Sequence, residues 1–197
     1  LDLVDLYGAD ATRFSLLAQA GAVQDVRFDA EVKDNVVQSS ASAEMGRNFG
    51  NKVWNAARFV TMNMDGYVPG ATERGYDELA DRWIWSRLAQ TIAEVNSRME
   101  AYRFSDVIRA LYDFLWRDYC DWYLELSKSF LNDPGRSGEE KLVTKNNLIS
   151  VLEKSLRALH PIIPFITEEI WQSLIDRNAG KSIMMQSFPE KYDLKIT

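Results

Sequence analysis

The sequence predicts an all-α fold, an elongated antiparallel helix bundle with a short connecting region at its amino terminus. Two observations carry this prediction. Over several long stretches, apolar residues recur every three to five positions, which is the spacing of one buried helix face. Clusters of proline and glycine separate these stretches, and such clusters end helices and start turns. We therefore expect long helices joined by short loops.

The first 42 residues are expected to form a region separate from the bundle, which we assign to residues 43–197. A short amphipathic helix is predicted over residues 9–20, because Gly21 follows it as glycine commonly follows a helix end. Residues 23–28 favour an extended segment, and the polar stretch 29–42 is expected to be a mobile linker. The chain starts without methionine and within a pattern, which indicates a piece of a longer protein.

The bundle itself is predicted to begin with four helices, at residues 43–62, 77–101, 105–131 and 139–160. Loop signals crowd residues 65–76. The third helix would be a rod of about 40 Å, at about 1.5 Å per residue. The fourth helix carries leucines at near-heptad spacing, which is typical of a seam between antiparallel helices.

Two prolines indicate where helices end and begin after residue 160. Pro161 ends the fourth helix, and Pro164 suits the first turn of the next one, where its missing N–H costs nothing. Residues 183–188 are expected to form a strand or an extended arm.

Composition limits the possible functions. The 197 residues carry a net charge of −6, which argues against non-specific nucleic-acid binding and favours only local, selective contacts. The chain contains no run of 18 apolar residues, so we expect no membrane-spanning helix. The single cysteine, Cys120, excludes an internal disulfide and is expected to be a buried, inert thiol.

The most informative stretch is the helix around residues 47–60. On a helical wheel one face is apolar, while the opposite face places Asn48, Lys52, Asn55 and Phe59 within about 60° of one another. Asn51, Arg58 and Arg47 flank this group. An aromatic ring among amides and cations suits an unstacked nucleobase: the ring stacks, the amides bond to base edges and the cations hold phosphates. The alternative is that Phe59 packs under a neighbouring helix and the polar residues are solvated surface.

No catalytic or metal-binding constellation is apparent. Gly180-Lys181-Ser182 resembles the end of a phosphate-binding loop, but the glycine required five residues earlier is Ile175. His160 is the only histidine, which excludes His-based metal clusters, and we expect it to contact carbonyl groups at the end of its helix. Asp118 and Asp121 share one helix and are as well explained by ion pairs as by acid–base chemistry.

With these residues laid out, the chain resembles the carboxy-terminal part of class I aminoacyl-tRNA synthetases, and the valyl branch in particular. Several ordered motifs carry the resemblance. They are Tyr7-Gly8-Ala9-Asp10-Ala11-Thr12-Arg13-Phe14, the helix from Arg47 to Phe59, Asp81-Arg82-Trp83-Ile84-Trp85-Ser86-Arg87-Leu88, Asp118-Tyr119-Cys120-Asp121-Trp122-Tyr123-Leu124-Glu125 and the stretch from His160 to Trp171.

The resemblance implies a helical anticodon-binding domain, preceded by a remnant of the connector, or stem-contact, region that follows the catalytic core. The partners it implies are the anticodon stem-loop of tRNA(Val) and the rest of the synthetase chain in cis, in the cytoplasm, with neither DNA nor a membrane involved. The parent enzyme would activate valine with ATP and charge the tRNA. This fragment would be inactive and need no cofactor, because the ATP-binding motifs are absent. The segment Glu125-Leu126-Ser127-Lys128-Ser129 resembles the family's mobile lysine loop, but it lies within a long amphipathic helix and lacks the first lysine.

The tRNA-binding residues expected on this basis are Arg47, Asn48, Asn51, Lys52, Asn55, Arg58 and Phe59, with no catalytic residue and no metal ligand. Two alternatives stay open. One is the anticodon-binding domain of an isoleucyl or another class I synthetase. The other is a helical scaffold that binds proteins through Trp54, Trp85 and Trp116, although tryptophans in a bundle are more often buried in its core.

Overall fold

The computed structural model describes residues 2–21, 25–26, 28–67, 78–174 and 181–190. Within these residues the chain forms eight α-helices, a π-helical segment (Phe114–Tyr123) between the fifth and sixth, a short 3₁₀ turn (Ile183–Met185) and one β-hairpin. The helices are α1 (Asp2–Tyr7), α2 (Ala9–Gln19), α3 (Ala41–Met62), α4 (Leu79–Glu100), α5 (Phe104–Asp113), α6 (Leu124–Asn132), α7 (Gly138–Leu159) and α8 (Pro164–Leu174). The hairpin consists of β1 (Ala30–Lys33) and β2 (Val36–Ser40). The predicted all-α fold is confirmed, with this hairpin as its exception.

One hydrophobic core extends through the helices. It contains buried side chains from α2, α3, α4, α5, the π-helical segment, α7 and α8. Trp85 and Tyr119 are among its largest fully buried members. Burial of a large apolar side chain stabilises a fold by about 1.5–3 kcal/mol, so this shared core fixes how the helices lie against one another.

The predicted polar linker at residues 29–42 is wrong. Most of it forms the antiparallel β1–β2 hairpin, with Lys33 paired to Val36 across a two-residue turn. Asp34 and Asn35 have φ angles of 52° and 63°, the left-handed conformation that such tight turns require. Asp2 accepts a hydrogen bond from the backbone N–H of Val37 at 3.3 Å, which ties the hairpin to α1. The prediction weighted polarity and missed the Asp-Asn turn, and it also missed α1.

The predicted helix at 105–131 is continuous from Phe104 to Asn132, but it is not α-helical throughout. Its centre is the π-helical segment, in which hydrogen bonds span five residues instead of four. At the end of that segment Tyr123 has φ −65° and ψ −44°, which are ordinary helical angles. Because the angles of Asp113 and Leu124, on either side of the segment, are also helical, the chain passes through it without a break.

The prolines mark the helix ends as predicted, since α7 ends at Leu159, just before Pro161, and α8 begins at Pro164. The sequence analysis did not predict how the helix starts are capped: Ser137 and Glu140 form a reciprocal capping box at the start of α7. The carboxylate of Asp10 accepts hydrogen bonds from the N–H groups of Phe165 and Ile166, at 3.3 and 2.7 Å, at the start of α8. This contact joins α2 to α8, because a carboxylate complements the free N–H groups of a helix start.

The strand or extended arm predicted at residues 183–188 is wrong for its first half, where Ser182 caps the 3₁₀ turn Ile183–Met185. Parts of the predicted extended segment at 23–28, of the predicted loop at 65–76 and of the Gly180-Lys181-Ser182 sequence lie outside the described residues. The division of the chain at residue 42 stays a prediction. No described helix is both long enough and apolar enough to cross a membrane.

Candidate nucleic-acid interface

The orientation of α3 determines which side chains face outward. Its apolar stripe, which includes Phe49, Val53 and Val60, is buried. Phe49 stacks on Phe14 of α2 with ring centroids 4.9 Å apart. It also contacts Tyr112 of α5 at 5.2 Å. Since aromatic contacts hold α3 from two sides, the polar face of the helix points away from the core.

The start of α3 is held by side chains just before it. The hydroxyl of Ser40 accepts a hydrogen bond from the N–H of Ala43 and donates one to Asp29 at 3.0 Å. Asp29 also accepts hydrogen bonds from the N–H and the hydroxyl of Ser42. These bonds, with that of the Ser42 hydroxyl the largest cause, lower the pKa of Asp29. The helix therefore begins at Ala41, two residues before the predicted start.

The seven predicted binding residues lie on the outer side of α3. Five are exposed, namely Arg47, Asn48, Asn51, Asn55 and Arg58, whereas Lys52 and Phe59 are half-buried. The carboxamides of the three asparagines have no hydrogen-bond partner among the described residues. Side-chain amides placed in this way are free to bond with an incoming ligand.

Phe59 is neither enclosed by protein nor fully exposed. One part of the ring packs against the hydrophobic core. The rest of the ring borders a groove of about 200 Å³ between α3 on one side and the π-helical segment and α6 on the other, which we call the Phe59 groove. The groove is lined by Lys52, Asn55, Ala56, Phe59, Cys120, Leu124, Glu125 and Lys128. The structure therefore allows both interpretations of the ring in part: it anchors α3 and still offers surface to a ligand.

Lys52 is held by a helix distant in sequence. Its Nζ lies 2.7 Å from Oδ1 of Asp121 and 5.0 Å from the ring centroid of Trp116. The hydrogen bond to Asp121 is the main reason why the pKa of Lys52 is raised, and burial opposes it. The ammonium group is therefore charged and oriented, but its charge is shared with a carboxylate.

The two arginines of the predicted site lie apart from the Phe59 groove. Arg47 pairs with Glu44 at 3.0 Å, and its guanidinium lies 5.2 Å from the ring centroid of Tyr7. Together with Asn51 it lines a groove of about 430 Å³ between α2, α3 and α8. Arg58 lines a different groove, beside Trp54. The predicted residues thus lie on the outer side of one helix, but six of them, all except Asn48, border three separate depressions.

Sequence reasoning missed the residues that other helices contribute to this surface. Lys128 and Glu125 of α6 lie in the Phe59 groove, and Asp121 of the π-helical segment pairs with Lys52, which lines the same groove. Phe165, at the start of α8, is 66% exposed beside Arg47 and Asn51. Nothing in the local sequence of α3 indicates these neighbours, because they are more than 60 residues away along the chain.

The other titratable residues that the sequence singled out, Cys120, Asp118 and His160, are explained by burial or by contacts within the fold. Cys120 is buried and burial raises the pKa of its thiol to about 12, as an inert thiol requires, so that prediction is confirmed. Asp118 pairs with Arg87 at 2.8 Å and with Arg117 at 3.2 Å, which confirms its role in ion pairing. For His160 we predicted a contact with carbonyl groups at the end of its helix, and this is wrong: its Nδ1 lies 2.8 Å from the hydroxyl of Thr167.

Two of the three tryptophans considered as protein-binding anchors do not serve as such in this fold. Trp85 is fully buried and its indole N–H donates to Asn147 at 2.9 Å. Trp116 is half-buried in the aromatic row beside Tyr112. Trp54 alone of these three is 44% exposed.

Comparison with known proteins agrees with this architecture. A family model described as the anticodon-binding domain of tRNA ligase matches residues 81–197. Valine–tRNA ligases from Pseudothermotoga lettingae, Fusobacterium nucleatum subsp. nucleatum and Neisseria meningitidis are 41%, 42% and 46% identical to the chain over 96%, 100% and 93% of its length. The chain spans only about a fifth of the length of these relatives, 20%, 21% and 19%.

A solved structure shows the same fold. It is the ternary complex of the Agrobacterium radiobacter K84 agnB2 LeuRS with tRNA and LeuAMS, which aligns with a TM-score of 0.67 at 17% identity, over 99% of this chain and 21% of that one. The family model covers more than half of the chain, and the helical architecture agrees with it. The chain therefore belongs to the family of anticodon-binding domains of tRNA ligases.

Proposed function

We propose that this chain binds the anticodon stem-loop of tRNA(Val) as the anticodon-binding part of a valine–tRNA ligase. The observation that supports this most is the outer face of α3, where three asparagine carboxamides without internal partners lie along the helix and one of them, that of Asn55, lines the groove beside the partly exposed ring of Phe59. This combination suits single-stranded RNA, whose bases stack on aromatic rings and form hydrogen bonds through their edges.

Each side chain then has a distinct role. Phe59 stacks on a base, while Asn48, Asn51 and Asn55 form hydrogen bonds with base edges. The cations Lys52, Arg47 and Arg58 bind phosphates. Because the chain as a whole is acidic, with a net charge of −6, these cations act locally and make binding depend on a fitting base.

The longer protein, on this proposal, activates valine with ATP, transfers it to the tRNA and acts in the cytoplasm. The relatives that match the whole chain are named valine–tRNA ligases, which supports this assignment. The fragment contributes recognition and neither ATP binding nor catalysis. Among the described residues, no group of three or more His, Cys, Asp or Glu side chains is arranged to hold a metal ion.

The test is a binding comparison between synthetic anticodon stem-loops carrying the valine and isoleucine anticodons, measured by fluorescence anisotropy. We expect the valine stem-loop to bind more tightly. Phe59→Leu keeps an apolar side chain against the core but removes the flat ring, so it should weaken binding by roughly tenfold, given that stacking contributes about 1–3 kcal/mol per base. Phe104→Leu, which changes another half-buried phenylalanine outside this face, is the matched control.

Two results would redirect the proposal. Preference for the isoleucine stem-loop would assign the domain to an isoleucyl synthetase. If neither stem-loop binds at low salt, where electrostatic attraction is strongest, the face is not an RNA surface. The exposed Trp54 would then favour a scaffold that binds proteins.

A further inference from the structure

We propose that Lys128 of α6 is a further RNA-binding residue, whose ammonium group covers the Phe59 ring in the free protein and moves to a backbone phosphate when a base takes its place. This inference rests on the function proposed above. It adds a residue from a second helix to a surface that the sequence assigned to α3 alone.

The position of Lys128 carries the inference. Its Nζ lies over the ring of Phe59, 5.4 Å from the centroid. The same Nζ lies 2.6 Å from a carboxylate oxygen of Glu125, one helical turn earlier. All three side chains line the Phe59 groove. The ammonium group therefore sits where a ligand entering the groove would meet the ring.

A base and this ammonium group cannot occupy the same ring face. Phe59 already packs against the core, so the part of the ring that borders the groove is what a base can use. A base that stacks there must displace the ammonium group of Lys128 from this part of the Phe59 ring. The side chain of Lys128 has a flexible four-carbon stem, so its displaced ammonium group can move to the phosphate of the stacked nucleotide.

The ion pair with Glu125 does not prevent this movement. The two side chains are 39% and 59% exposed, and exposed ion pairs are weak. A phosphate can replace the carboxylate as the partner of the lysine. Lys52, which lines the same groove, is likewise paired with a carboxylate, that of Asp121. Two lysines of one groove are thus held by carboxylates in the free protein.

This arrangement also explains how an acidic protein restricts RNA binding to a fitting base. When no base stacks on Phe59, Lys128 stays on the ring and Glu125 faces the incoming phosphate, which it repels. When a base stacks, the lysine is released and meets the phosphate. Lys128 belongs to the segment whose sequence resembles the family's catalytic lysine loop, and in this fold the same lysine lies in the Phe59 groove instead.

The experiment measures binding of the valine anticodon stem-loop over a series of KCl concentrations. Lys128→Met removes the charge but keeps the length of the side chain. It should weaken binding severalfold at low salt and reduce the slope of log affinity against log salt by about 0.7–0.9, the value for one phosphate contact. Glu125→Gln should instead tighten binding severalfold, because the competing carboxylate is gone. Lys141→Met removes a lysine charge outside the groove and should leave the slope unchanged.

The outcomes separate this inference from the proposed function. If Phe59→Leu weakens binding while Lys128→Met behaves like Lys141→Met, the role of Lys128 is overturned and RNA binding by α3 stands. Weaker binding of Glu125→Gln would also overturn it, since Glu125 would then contact the RNA itself. If Phe59→Leu has no effect either, the proposed function fails.

Discussion

The phenolic hydroxyl of Tyr123 donates a hydrogen bond of 2.5 Å to Oδ1 of Asp81, and both residues are fully buried. Asp81 lies in the first turn of α4 and Tyr123 at the end of the π-helical segment, so one bond joins two of the motifs that carry the family resemblance. Burial, followed by the proximity of Asp81, raises the pKa of Tyr123 well above its ordinary value.

Removal of this donor should destabilise the fold measurably. Tyr123→Phe leaves a buried carboxylate without the hydroxyl, and hydrogen bonds to charged groups contribute about 1.5–3 kcal/mol. Tyr119→Phe is the matched control, because Tyr119 is equally buried but donates to a neutral backbone carbonyl, that of Leu148, at 2.8 Å. Urea unfolding should show the larger loss for Tyr123→Phe; equal losses would mean that the carboxylate adds nothing.

Close contact between α2 and α3 depends on Gly46. A Cβ at this position would lie 2.6 Å from the backbone oxygen of Ala11, so Gly46→Ala must push the helices apart. We expect a loss of about 1–3 kcal/mol of stability, as for other overpacked sites.

Gly50 provides the control, because a Cβ there would lie 3.6 Å from the flexible side chain of Ile166, an ordinary contact. Gly50→Ala should therefore have unchanged or higher stability, since alanine favours helices by up to about 1 kcal/mol. Thermal melting of both variants distinguishes the two sites, and similar melting temperatures would contradict the close approach at Gly46.

Stability should fall in alkaline solution, with Cys120 as the first cause. Burial raises the pKa of its thiol from 9.0 to about 12. The folded protein therefore holds the proton more tightly than the unfolded chain does. The free energy of unfolding is unaffected by this thiol below about pH 9, and above it decreases by up to about 1.4 kcal/mol per pH unit.

The buried hydroxyls of Tyr119 and Tyr123, whose pKa values are also raised, add to this loss above about pH 10. Cys120→Ala separates the contributions. Its urea midpoint should decline less steeply than that of the wild type between about pH 9 and pH 10. An identical decline would show that the thiol ionises equally well in the folded protein.

The ion pair between Lys52 and Asp121 should limit RNA binding if α3 binds the stem-loop as proposed. Asp121→Asn frees the ammonium group, so we expect tighter binding. Lys52→Met should weaken binding and reduce the slope of log affinity against log salt by about 0.7–0.9.

The contribution of Lys52 to RNA binding should not vary between neutral pH and about pH 9, because its pKa is raised and the ammonium group stays charged over that range. Asp113→Asn, which changes an exposed acid on the preceding helix outside the Phe59 groove, is the control for net charge; an equal gain in that variant would exclude a specific role for Asp121.

Several features of this protein could be predicted from the sequence because they depend on neighbours along the chain. The helix at Ala41–Met62 follows from an apolar spacing of three to four residues, and that spacing also fixed which side of it is buried. Gly21, Pro161 and Pro164 act on the backbone locally, so the helix ends were predictable within a few residues. The hairpin was predictable in principle from Asp34-Asn35, a local turn signal that polarity obscured.

The tertiary structure alone decided what surrounds the outer face of α3. Asp121 meets Lys52 across 69 residues of sequence, and Lys128 meets Phe59 across a similar separation. Such pairs depend on the packing of α3 against the π-helical segment and α6, which is set by the shape of the buried Phe49 and of the half-buried Tyr112 and Trp116. Helical periodicity is a property of one segment, so it determines which side chains point outward; the partners they meet there are determined only when separate segments pack together.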